Sequence, residues 1–453
     1  MPVDDRELTP TVARRALDEF EAALDERWSY RHANGADFGG AVAALRDKID
    51  GGLSTDAFGI ELQRIVALGI DGHARVSGYT LPGGRSLPFL VEPAGERVVA
   101  FDAARTGFLA DGFPYLTAID GREIADWCRA AAQLVPKGSP QYRRHRSLGL
   151  LRNLAFVRAQ LALPQTDTLE VTLAAGDGGA RTTLQLRTAT SPPSYGAWPR
   201  GGSRLLAGGV GYLRLAFMDK ASSVREILRW MPAFRHTAGL VVDVRDNDGG
   251  DRDALRRLYA YLAAPGDAPR VRNAAVYRLH AAHREDHLAG AHFMYRADAA
   301  AWTPDERRAV AAFAGTFRPE WAPPAGQFSA WHYLVLSRRD GPDVYHYARP
   351  VVVLMNGKCF SATDVFLAGL QGLPHVTLLG TPSSGGSAGT REVGLGATPL
   401  RVRFGTIASF QADGRLFDGH GVRPDVPVAP TPESHIGGAD NVLAAAVERV
   451  RRR

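Results

Sequence analysis

An α/β layered chain is what this sequence predicts, on three observations. Continuous apolar runs at 211–215, 239–244 and Val351–Met355 are each followed by a loop and a helical pattern, as in strands buried on both faces and joined by helical crossovers. Ahead of them the apolar spacing changes near Pro88 from a helical period to short strand-like runs. A length of 453 residues suits about three domains, and 45% hydrophobic with 23% charged residues is the balance of a chain that buries a core.

Thr9 and Pro10 form an N-cap and first-turn pair, after which Val12, Ala16, Leu17, Phe20, Leu24 and Trp28 recur at helical spacing. Phe38, Val42, Leu45 and Ile49 predict a second helix, and Phe58, Leu62, Ile65 and Val66 a third, with Gly51 and Gly52 between them. Residues 1–80 are therefore expected to form a helical domain. Runs at 89–91, 98–101, 112–121, 169–174 and 182–186 predict a β-rich domain over 85–190, with a helical insert at 124–163. A Pro-, Gly- and Ser-rich linker leads into an α/β core over 203–432. Residues 267–348 show no clear period and are expected to interrupt that core. Asp440 caps a closing helix within 438–453.

Composition removes several classes of function. No apolar run approaches the roughly 18 residues that a membrane-spanning helix needs. The acidic start at residues 1–5 has no signal-peptide pattern, which favours a cytoplasmic location. Cys128 and Cys359 stand far apart, so neither a disulfide framework nor a Cys-rich zinc site is expected. The net charge is +6, yet basic residues are interleaved with acids, and no nucleic-acid partner is expected. Of the 54 basic side chains only Lys48, Lys137, Lys220 and Lys358 are lysines. His280, His283 and His287 would share one face of a helix and could hold a metal, but Arg284, Glu285 and Asp286 suit a solvated face equally well; no metal and no cofactor are expected.

Ser361 follows the strand-like run Val351–Met355 and a glycine turn, and it opens an apolar helix. Free N–H groups at a helix start favour developing negative charge, so Ser361 reads either as a nucleophile or as an N-cap. Gly249 and Gly250 close a polar loop after another buried run, where their N–H groups could approach an oxyanion or simply turn the chain.

Four stretches occur in order: Gly211-Tyr-Leu-Arg-Leu, Asp243-Val-Arg-Asp-Asn-Asp-Gly-Gly, Asn356-Gly-Lys-Cys-Phe-Ser-Ala-Thr-Asp and Asp418-Gly-His-Gly-Val-Arg-Pro-Asp. They resemble the successive motifs of the S41 peptidases, the family of the tail-specific proteases, the tricorn core protease and interphotoreceptor retinoid-binding protein. The resemblance covers most of 205–430, and Gly112-Phe-Pro-Tyr-Leu-Thr-Ala-Ile-Asp-Gly is similar to the PDZ segment that precedes the core in many members. It implies a ClpP/crotonase-like core of stacked ββα units, preceded by the helical segment and a PDZ-like β-rich domain. It also implies Ser361 as nucleophile, with oxyanion donors on Ala362 and on Gly249 or Gly250.

The base departs from the tail-specific pattern. Gly386 stands where those proteases carry a lysine, and none of the four lysines follows Ser361; Lys358 reads as part of the turn. The tricorn branch resembles a Ser/His/Glu arrangement, whose places are held here by His73 and Asp418, with His420 as a rival base. The resemblance thus implies a serine endopeptidase acting on peptides or proteins through Ser361, His73 and Asp418. The alternative is an inactive S41-like protein that binds peptides or small hydrophobic ligands. A homo-oligomer is left open.

Overall fold

Buried runs that do not alternate need an apolar layer on each face, and the structure supplies both. In this computed structural model, which describes residues 7–176, 179–280, 286–341 and 343–452, a six-stranded sheet runs in the order Arg204–Leu206, Val210–Arg214, Gly239–Asp243, Val351–Met355, Val376–Gly380, Val426–Pro427. The last five are parallel. Leu213, Val242, Val353 and Leu378 face one core with Ile227 of helix Lys220–Phe234 and Phe366 of helix Ala362–Leu370. Tyr212, Val241, Val352 and Leu379 face the other, closed by Val442, Ala446 and Val450 of helix Asn441–Arg451. Asp440 caps that last helix through Leu443 N–H, as expected. The acidic start at residues 1–5 and His283 lie outside the described residues.

Helix Pro10–Arg27 begins at Thr9, whose hydroxyl accepts from Val12 N–H. Together with helices Phe38–Ile49 and Thr55–Val66 it buries Leu17, Phe20, Trp28 and Phe38 against Val402, Phe404 and Phe410 from late in the chain. Strand Arg75–Ser77 pairs antiparallel with Arg401–Gly405, which pairs with Thr390–Gly394. The N-terminal helices are thereby tied to the core.

Strands Leu90–Ala94, Arg97–Phe101, Tyr115–Ile119, Thr168–Ala174 and Arg181–Arg187 form an antiparallel sheet. Helices Ile124–Ala131, Pro140–Leu150 and Leu154–Gln160 fill the expected insert. Residues 267–348 have more order than their pattern suggested. Strands Arg270–Tyr277 and His332–Leu336 pair antiparallel, and Ile407–Gln411 flanks the first. Helix Pro304–Thr316 starts with a reciprocal capping box between Thr303 and Glu306, a signal readable in the sequence. The strands escaped notice because polar residues such as Asn273 and His332 are buried in them.

The histidine cluster does not form a helical face among the described residues. His280 Nε2 lies 3.3 Å from Glu26, while His287 Nε2 lies 3.4 Å from Thr406 Oγ1. No helix among the described residues is long and apolar enough to cross a membrane.

Candidate active site

Two loops leave the carboxyl ends of neighbouring parallel strands, Gly239–Asp243 and Val351–Met355, where α/β sheets commonly open to ligands. Asn247 ties them together. Its Oδ1 accepts from Gly249 N–H at 3.0 Å and from Thr363 Oγ1 at 2.7 Å, its Nδ2 donates to Leu215 O, and its carbonyl accepts from Phe360 N–H. Asn356 braces the same turn through Asp246 and Lys358. Held this way, Ser361 takes φ +61° and ψ −122°, a conformation that costs a non-glycine residue about 1–3 kcal/mol. Its side chain makes no capping hydrogen bond. The N-cap reading is therefore set aside: the hydroxyl points elsewhere.

It points to His73. Nε2 of His73 lies 3.0 Å from Ser361 Oγ. The imidazole follows helix Thr55–Val66 in a short turn where Ala74 N–H donates to Asp71 O and Tyr142 Oη donates to Gly72 O. Phe360 stacks on the ring at 4.4 Å between centroids. A Cβ at Gly386 would run into Phe360 and come within 3.1 Å of His73 Cε1. Any side chain at 386, a lysine included, would have to displace the Phe360 ring and crowd the imidazole.

Behind the ring sit two buried carboxylates. Asp71 accepts from His73 N–H, Trp28 Nε1 and Gly405 N–H at 2.7–2.8 Å, and its Oδ1 is 3.8 Å from His73 Nδ1. Asp418 accepts from Tyr30 Oη at 2.8 Å, Gly72 N–H at 3.1 Å and Ser387 N–H at 3.2 Å. Among the described residues His73 Nδ1 has no hydrogen-bond partner. Asp418 thus reaches the neighbourhood of His73 without bonding it, and Asp71, which the sequence reading passed over, is a second acid at that place. Asp71, His73 and Asp418 each offer a metal-ligand atom within 4.8 Å of the others. Both carboxylates already accept N–H or O–H donors and Nε2 faces the serine, which suits proton handling better than a cation.

Burial, followed by the charges of Arg403, Arg146 and Arg75, pushes His73 down to about 3, so the ring is neutral near pH 7. Burial, followed by the charge of Asp71, pushes Asp418 up to about 7. Burial also raises Asp71. Two carboxyls so close resist a second ionisation, so the pair gives up its last proton only near pH 7.

The three expected oxyanion donors differ in availability. Gly249 N–H is committed to Asn247, and a Cβ on Gly249 would stand 2.7 Å from Ser361 Cβ, so this glycine permits close approach of the two loops. Gly250 and Ala362 N–H have no hydrogen-bond partner among the described residues. Gly250 lines the same cleft of about 890 Å³ as Ser361 and His73.

Lys358 and His420 are engaged elsewhere. Lys358 Nζ binds Glu92 of strand Leu90–Ala94 and, at 3.2 Å, Asp246; burial alone would lower its pKa, but the charges of Asp246 and Glu92 outweigh that and raise it. His420 Nε2 binds Glu320 at 2.9 Å.

Residues 209–428 match the model of peptidase family S41. Mature CPAF in complex with lactacystin has a similar fold, with a TM-score of 0.65 at 15% identity over 98% of each chain. A candidate peptidase of Parabacteroides merdae ATCC 43184 has a TM-score of 0.52 at 16% identity, covering 98% of this chain and 97% of its own. No curated protein matches in sequence.

Proposed function

We propose, from the premise that this chain belongs to peptidase family S41 through residues 209–428, that it is a serine endopeptidase with His73 as its base. The observation that carries this reading is the 3.0 Å contact between His73 Nε2 and Ser361 Oγ. With the ring proton on Nδ1, Nε2 accepts the serine proton as Oγ attacks a peptide carbonyl. The imidazolium that forms has its Nδ1–H toward Asp71 and Asp418, whose remaining negative charge steadies it. Gly250 and Ala362 N–H are the two free donors for the carbonyl oxygen as it becomes an oxyanion. His73 then returns its proton to the departing amine, and a water activated by the same ring releases the acyl group.

The core is read as ClpP/crotonase-like and residues 85–190 as a PDZ-like module that docks peptide. Val91, Arg146 and Tyr195 bring this part of the chain and its following linker to the wall of the cleft. Strand Arg181–Arg187 is an edge strand with alternating exposure, open to addition of an extended peptide.

The alternative of binding without turnover drew its support from the missing lysine, and the His73 contact weakens that support. A fluorophosphonate probe tests the choice. Labelling of the wild-type protein at Ser361, with none in Ser361→Ala, supports the hydrolase; an unlabelled wild-type protein that still binds peptide favours the alternative.

A further inference from the structure

The cleft in front of Ser361 is lined by four arginines, Arg75, Arg146, Arg152 and Arg403. None has a carboxylate within 4.0 Å of its guanidinium among the described residues. Arg403 Nη2 donates to Thr390 Oγ1 at 2.6 Å. Arg146 lies over the rings of Tyr142 and Phe360, and Arg152 over Tyr195, with the Arg152 Nε buried and without a partner.

Arg75 and Arg403 are direct partners across the antiparallel pair, so two like charges stand side by side on one sheet face. Such a pair destabilises the sheet unless something anionic joins it. The neighbouring acids have other hydrogen-bond partners: Asp71 holds His73 N–H, Trp28 and Gly405 N–H, Glu392, opposite Arg403 on its other side, binds Arg401, and Glu92 in the cleft binds Lys358. Asp71 and Glu392 act on Arg403 only through their charge. Asp248, the other carboxylate of the lining, is exposed. Three of these arginines are near enough to His73 to disfavour its protonation.

We propose that this cleft selects peptides with acidic side chains beside the bond that is cut, Arg75 and Arg403 together taking one carboxylate and Arg146 or Arg152 a second. The proposal rests on the peptidase reading for the meaning of the cut bond, but its binding chemistry is separate. Guanidinium groups match carboxylates in bidentate geometry and are less strongly hydrated than ammonium groups. One or two guanidiniums satisfy a chain-terminal carboxylate; four on three segments of the chain suit more than one acid.

Affinity measured on the Ser361→Ala protein tests this without requiring turnover. Fluorescent peptides of one length would carry Asp and Glu, or the isosteric Asn and Gln, each with a free or an amidated C-terminus. The acidic peptide is expected to bind roughly tenfold or more tightly than its isostere, with the difference shrinking at high salt. Arg75→Gln with Arg403→Gln should bring the ratio toward one, Arg146→Gln, at an exposed site, should lower it, and Arg75→Lys should restore part of it. Equal affinity for acidic and isosteric peptides overturns the proposal, as does a ratio untouched by the arginine variants. A preference that vanishes on amidating the C-terminus alone also overturns it, marking a tail-carboxylate site instead. Failure of the peptidase reading would show separately, as absent fluorophosphonate labelling of the wild-type protein.

Discussion

His73 Nε2 and Ser361 Oγ stand 3.0 Å apart although 288 positions separate them in the chain. Strand Arg75–Ser77 is held in register with Arg401–Gly405, and Asp71, just before it, anchors Gly405 N–H. The imidazole is therefore positioned by the sheet pairing of its own segment, and the serine by a loop-to-loop network centred on Asn247.

Ser361→Ala is expected to abolish peptide hydrolysis while leaving the melting temperature close to that of the wild type. The hydroxyl contributes no capping hydrogen bond, so its loss removes chemistry rather than stability. Turnover by a clean preparation of this variant would remove Ser361 from the nucleophile's place.

His73→Ala should lower kcat by several orders of magnitude, whereas His420→Ala, which loses only a contact to Glu320 at a partly exposed site, should keep most of the activity. Lys358→Ala behaves differently again. It takes the cation from the partly buried Asp246 and leaves Glu92 only Arg105, 3.9 Å away, so its defect should be seen as a loss of thermal stability. Equal kcat for wild type and His73→Ala would return the other two to consideration.

Gly386→Ala should reduce kcat sharply with little change in overall fold. Its methyl group would displace the Phe360 ring and crowd His73 Cε1, pushing the imidazole off the serine. A fully active alanine variant would show that the ring has room the geometry denies it.

The pH dependence separates the acids from the base. His73 is neutral well below its ordinary 6.5, so with an uncharged peptide the acid limb of kcat should follow ionisation of the Asp71/Asp418 pair, with Asp418 near 7. Asp418→Asn should lower the plateau less than His73→Ala does and move the acid limb to lower pH. A limb that stays in place in this variant contradicts the assignment.

Stability gives an independent reading of Asp418. Its folded pKa lies above the ordinary 3.8, so the protonated form favours the folded state. That contribution is complete below the ordinary value and is lost as pH rises through about 7. The melting temperature of Asp418→Asn relative to wild type should therefore climb between pH 5 and pH 8. A difference independent of pH would show that Asp418 is already ionised throughout.

What the sequence determined by itself was local. Helix starts at Thr9 and Asp440, the apolar stripes of the first three helices, and the buried runs of the parallel sheet all follow from the period of apolar residues and from capping chemistry, which act over a few positions. The family's motifs marked Ser361, His73 and the two glycines, and the turn chemistry named Lys358 as structural. Tertiary structure alone decided which groups meet. It set Asp71 beside Asp418, since two carboxylates 347 residues apart share a buried place only after strand pairing brings their segments together. It committed Gly249 N–H to Asn247 and left Gly250 free, a distinction of hydrogen-bond geometry that two adjacent glycines do not display in sequence. It also gave Gly386 its reason, because the space denied to a side chain there is filled by His73 and Phe360, which arrive from distant parts of the chain.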